Sequence, residues 1–139
     1  MTPQAAAYLE KADEALSDAR GNLGIKINRQ AARLAYYAAF HAAQALIFER
    51  EGRAAKTHKG VNARFAKIVL DGSLAPKLSE FLAGAYHFKS AVDYETGSLR
   101  VIGPDEAAEA LHDAEHFVAT IKDLLAADDE GTVGPPATP

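Results

Sequence analysis

The stretch Arg29–Glu51, RQAARLAYYAAFHAAQALIFERE, decides the fold. Between Leu34 and Phe48, apart from the tyrosine hydroxyls, only His41 and Gln44 are polar. Alanine dominates and neither Gly nor Pro interrupts, so helix propensity is high. The stretch is too apolar all round to leave one face in water. It therefore predicts a helix buried on most sides by other helices. Its alanines let neighbours approach closely, while Tyr36, Tyr37, Phe40 and Phe48 fill the wider gaps. Arg33, Tyr37 and His41 recur every four residues and so stack along one strip of the helix. That strip is the first place to look for function.

Moving outward, Thr2-Pro3 suits a helix start, with Thr as N-cap and Pro in the first turn. Tyr8, Ala12, Ala15, Leu16 and Ala19 follow at helical spacing. GNLGIKIN, residues 21–28, breaks that pattern, and Asn28 reads as the cap of the central helix. Gly52 closes it. Thr57 caps a third helix, HKGVNARFAKIVL, with Val61, Phe65, Ile68 and Val69 on its apolar side. Asp71-Gly72-Ser73 is turn chemistry. A fourth helix is expected from about Pro76 to Asp93, with Leu78, Phe81, Leu82, Ala85, Phe88 and Val92 inward. Thr96 to Gly103 reads as a loop. Pro104-Asp105-Glu106 opens a fifth helix with acids suited to its first turn. Its apolar ladder is Ala107, Leu111, Ala114, Val118, Ile121 and Leu125. The sum is an all-α antiparallel bundle of about five helices around the Ala-rich one, over residues 1–127. The tail from 128 to 139, DDEGTVGPPATP, is acidic and then Gly/Pro-rich and reads as disordered.

At 139 residues the chain fits one domain with a real core. A formal charge of −4 and a pI near 5.7 give no global pull toward nucleic acid or membrane. Cysteine is absent, which excludes disulfide and thiol chemistry. The N-terminus lacks the basic and then apolar pattern of a signal peptide. The longest apolar stretch is about 15 residues, short of the roughly 20 that span a bilayer. A cytoplasmic protein is the expectation.

Charge is nevertheless uneven. Arg50, Arg53, Lys56, Lys59, Arg64 and Lys67 crowd one stretch opposed only by Glu51. After Arg100 there are nine acids and one base, Lys122. The basic run surrounds a helix start at Thr57, where free backbone amides favour anions. The run reads first as a solvated face; a phosphate site there, or neutralisation by the acidic fifth helix within the monomer or across a dimer, are the other readings.

Two motifs carry a family resemblance. RLAYYAAFHAAQALI, residues 33–47, is followed by KTHKGV, residues 56–61. Together they resemble the small bacterial and archaeal HEPN-domain proteins over roughly residues 4–127. The resemblance implies a helical bundle that is usually a homodimer. It implies RNA-cleaving toxins or accessory proteins that bind RNA or nucleotides. It also implies a nucleotidyltransferase-fold protein as partner. In ribonucleases of this family an Arg is followed, after four to six residues, by a His, and dimerisation brings two copies into one cleft. The His serves as general base on a ribose 2′-hydroxyl and the Arg stabilises charge on the phosphate. The matching place here is Lys89-Ser90-Ala91-Val92-Asp93-Tyr94. Lys89 stands for the Arg and keeps its charge without the bidentate fork. Tyr94 stands for the His, and a phenol with an ordinary pKa of about 10 is a poor base at neutral pH.

The candidate catalytic set is thus Lys89, Asp93 and Tyr94, in degenerate form. The candidate ligand-binding set is Arg33, His41, Lys56, His58 and Lys59. His41, in the most apolar helix, reads first as a buried, hydrogen-bonded core group. His58 reads as a helix-opening residue or a ligand. His112 and His116 have the spacing of a metal pair, but no third ligand is evident, so neither metal nor cofactor is expected. The leading function is a HEPN-type protein that binds RNA or nucleotide phosphate within a toxin–antitoxin or defence system. The alternatives are an active metal-independent endoribonuclease toxin and a non-enzymatic structural homodimer.

Overall fold

The computed structural model describes residues 1–94 and 101–133, without the side chains of Tyr94 and of residues 131–133. Five helices follow one another: α1 (Pro3–Gly24), α2 (Asn28–Glu51), α3 (His58–Asp71), α4 (Lys77–Tyr94) and α5 (Pro104–Val133). The described residues contain no strand. None of their helices is long and apolar enough to cross a membrane.

α2 touches every other helix, as its composition requires. Ala38, Ala39, Ala42, Ala43 and Ala45 are all fully buried in it. α1 runs back along α2. The start of α1, the end of α2 and the end of α5 meet at one end of the bundle, where the Met1 amine pairs with Asp129 and Thr2 bonds Glu49. Arg20–Glu115 and Lys122–Asp13 tie α5 to α1 in opposite directions. α5 therefore lies along α2 in the same sense. The core joins Leu9, Leu16, Leu46, Phe65, Leu82, Phe117 and Ile121 into one cluster. A smaller cluster of Ala31, Ala32, Val92, Ile102 and Ala107 closes the other end.

Three boundaries differ from the expectation. α1 does not break at Gly21 but continues to Gly24, because Leu23 packs against both clusters and holds the last turn. A helical Gly costs only about 1 kcal/mol, less than that packing supplies. The chain turns instead at residues 25–27, with Lys26 in the left-handed region at φ 64°. Asn28 is not the cap of α2: Ile27 holds that position, and Asn28 is already helical with no capping bond. The tail does not begin at 128 either. α5 runs on to Val133, and Asp128 makes a two-pronged ion pair with Arg50 at 2.8 and 3.0 Å. The acids thought to loosen the tail find cations at the end of the bundle. Residues 134–139, and most of the expected loop from Thr96, lie outside the described residues.

Candidate functional site

The segment between α2 and α3 is built to place one residue. Gly52 ends α2 in the left-handed conformation at φ 77°. The buried Gln44 then grips Ala55 from both sides, donating to its carbonyl at 2.9 Å and accepting its amide at 3.1 Å. Thr57 caps α3 by accepting the Gly60 amide at 2.9 Å. His58 is thereby fixed as the first residue of α3, over the face of α2.

There it enters an aromatic enclosure. Its ring centroid lies 4.7 Å from Phe40, 5.5 Å from Tyr86, 5.7 Å from Tyr36 and 6.1 Å from Tyr37. Its Nδ1 lies 2.7 Å from the Tyr36 hydroxyl. Burial, and then the nearby Lys89 charge, hold the His58 pKa below its ordinary value. His58 is accordingly a neutral imidazole at neutral pH.

Beside it stands a cluster of charges drawn from two helices. Asp93 accepts from Arg33 Nε at 2.7 Å with one oxygen and pairs with Lys89 Nζ at 2.7 Å with the other. Lys89 also lies over the Tyr37 ring, 5.4 Å from its centroid. Lys89 is only 8% exposed, unusual for a lysine. Its hydrogen bond to Asp93 raises its pKa against the opposing effect of burial. Burial pushes the Asp93 carboxyl up, but the Lys89 hydrogen bond and the Arg33 charge overcome it and hold it below its ordinary value. Arg29 anchors the same end of α4 by donating to the Val92 carbonyl.

The structure thus unites Arg33, His58, Lys89 and Asp93 from the sequence-derived set. Of the rest, His41 packs its ring beside Tyr37 and Phe40, at 6.4 and 5.5 Å between centroids, and burial, followed by the Lys11 charge of α1, lowers its pKa. It is not the hydrogen-bonded core group expected. It is half-buried, and its enclosed Nδ1 meets no hydrogen-bond partner among the described residues. Lys56 is exposed just before α3 and Lys59 is exposed in its first turn. Arg50 and Arg64, from the same basic run, are taken by Asp128 and Glu51. Neutralisation by α5 therefore reaches Arg50. Tyr94 ends α4, and its side chain lies outside the described residues. His112 and His116 are exposed on α5.

The sequence-derived sets omit Tyr36, Phe40 and Tyr86, and Tyr37 enters only through the strip it shares with Arg33 and His41. The sequence predicts Tyr36, Tyr37 and Phe40 as gap-fillers of the core, yet Tyr37 and Phe40 stay half-exposed around His58. The four-residue spacing of Arg33 and Tyr37 was the usable signal. Tyr86 carried none. Chemically, the arrangement offers aromatic faces for stacking, a neutral imidazole and a partly neutralised pair of cations.

A family model described as HEPN domain matches residues 5–124. The chain is 32% identical over 120 residues to a Methanocaldococcus jannaschii protein named "Putative toxin MJ0605", covering 86% of this chain and 87% of that one. It is 30% identical over 117 residues to an Archaeoglobus fulgidus protein named "UPF0332 protein", covering 84% and 91%. The crystal structure of TT1696 from Thermus thermophilus matches with a TM-score of 0.71 at 25% identity, over 88% of this chain and 98% of that one.

Proposed function

The chain belongs to the HEPN domain family, and on that premise we propose that it is a toxin-like protein that binds single-stranded RNA or nucleotide phosphate where α2, α3 and α4 meet. The observation that carries this reading is the set of half-exposed rings, Tyr37, Phe40 and Tyr86, gathered around a neutral His58. Unstacked bases bind to such faces without sequence preference. Exposed Lys56 and Lys59 stand at the approach and supply the attraction to phosphate. The likeness to a protein named as a toxin supports the toxin-like role. The family resemblance supports a homodimer acting with a nucleotidyltransferase-fold partner.

Cleavage is expected to be weak. Tyr94 stands where ribonucleases of the family place the His base, and a phenol is a poor base at neutral pH. One observation favours the second reading, an active metal-independent endoribonuclease. A neutral imidazole beside an ammonium is what base-assisted attack on a phosphodiester requires, and His58 has that neighbour in Lys89. Incubating a labelled single-stranded RNA with the protein and with His58→Ala tests both. Binding without turnover supports the first reading; turnover that His58→Ala abolishes supports the second. Neither binding nor turnover leaves a structural homodimer.

A further inference from the structure

A groove of about 360 Å³ opens between α2, α4 and α5, and of the rings around His58 only Tyr36 lines it. Its floor is made of small residues, Ala32, Ala35 and Ala114, and its walls are Phe81, Phe88 and the Tyr36 ring. α4 packs on α2 and α3 but leaves this flank of α5 uncovered along the groove. On α5 it runs from Glu106 to Ala114, about 12 Å at a rise of 1.5 Å per residue. That is roughly two helical turns.

Charge is confined to one rim. Glu109 and Asp113 are exposed at the mouth, and neither has an ion-pair partner among the described residues. Glu106 lines the same edge. The interior offers no converging polar groups, since the Tyr36 hydroxyl is spent on His58. A small ligand needs a few placed polar groups to orient it, and the groove lacks them. A second copy docked by its own groove across a twofold would set acidic rim near acidic rim, and like charges at an interface are unfavourable.

We propose that this groove receives an amphipathic helix of a partner protein, with apolar side chains seated between α4 and α5 and Lys or Arg facing Glu109 and Asp113. Such a helix presents anchors three and four residues apart over two turns, which matches the length of the groove. The site is separate from the RNA-binding surface proposed above and does not depend on it.

Gly84 supplies the test. It lines the groove, and a Cβ there meets nothing within 4 Å, so Gly84→Leu starts an apolar side chain in open space at the groove while favouring the helix. A fluorescein-labelled synthetic peptide with Leu at helical three-and-four spacing and Lys on its flanks is titrated by anisotropy, beside a counterpart with Glu for Lys. The basic peptide should bind at least tenfold more tightly than the acidic one. Gly84→Leu, and separately the pair Glu109→Lys and Asp113→Lys, should each weaken it at least tenfold with helix content unchanged. Equal binding by all three proteins would overturn the proposal. So would loss of binding that coincides with a change from dimer to monomer on sedimentation of Gly84→Leu, which would make the groove an interface between copies. Binding of spermidine with none of the peptide, lost in the same variants, would also overturn it.

Discussion

The Tyr36 hydroxyl lies 2.7 Å from Nδ1 of His58 and joins α2 to the first residue of α3. Burial pushes the Tyr36 pKa well above its ordinary value, so the phenol keeps its proton. The imidazole tautomer sets which of the two groups donates in this bond. Tyr36→Phe should cost about 1 kcal/mol, since it leaves a partly buried imidazole nitrogen without its partner. Urea unfolding checks the cost. An NMR tautomer shift at His58 should accompany it.

Stability should fall as the pH drops below neutrality. His41 and His58 both have folded-state pKa values below the ordinary 6.5, chiefly through burial. The unfolded chain therefore binds more protons than the folded one as pH falls. The stabilisation is fully present above about 6.5 and is lost as the pH drops from there through the folded-state values. Melting temperature measured from pH 7.5 to pH 5 should decline, and the decline should shrink in the double variant His41→Gln, His58→Gln. An unchanged decline in that variant would assign it to other groups.

Asp93 is the hinge of the charge cluster. Its side chain is 15% exposed and that of Lys89 is 9% exposed. Asp93→Ala strands both Lys89 and Arg33, at a cost of about 3 kcal/mol for a buried cation left without its counter-ion. Lys89→Ala leaves Asp93 still held by Arg33 and should cost less. Denaturant midpoints that rank the two variants the other way would contradict this assignment.

The central helix was legible in advance because alanine content and the absence of Gly and Pro are local properties. Thr2 and Thr57 were legible for the same reason: a cap is read within one turn of its helix. The end of α1 was not, since Leu23 is held by contacts from distant parts of the chain. The site was half legible. Arg33, His58, Lys89 and Asp93 each stood out by type, motif or position, but the bond between Arg33 and Asp93 spans 60 residues of sequence. Only the antiparallel passage of α4 over α2 brings them together. Tyr86 acquires its role solely from that passage. Lys59 and Lys89 look alike in the sequence, yet one is exposed and the other buried in an ion pair.

Ala38 and Ala42 have no exposed surface. Enlarging either to Leu pushes side chain into a filled interior and should cost about 1–3 kcal/mol. Thermal unfolding of Ala38→Leu and Ala42→Leu checks this. Unchanged stability in either would mean that α2 is not the packed centre of the bundle.

The most direct measurement is the salt dependence of single-stranded RNA binding by the wild-type protein, Lys59→Ala and Tyr86→Ala. Binding should weaken steadily with salt as phosphate contacts release counterions. Lys59→Ala should bind more weakly with a shallower slope, reduced by about one. Tyr86→Ala should lose about 1–3 kcal/mol of stacking with the slope unchanged. A folded protein that binds no RNA at low salt, or binds it with neither substitution having an effect, would contradict an RNA-binding site where α2, α3 and α4 meet.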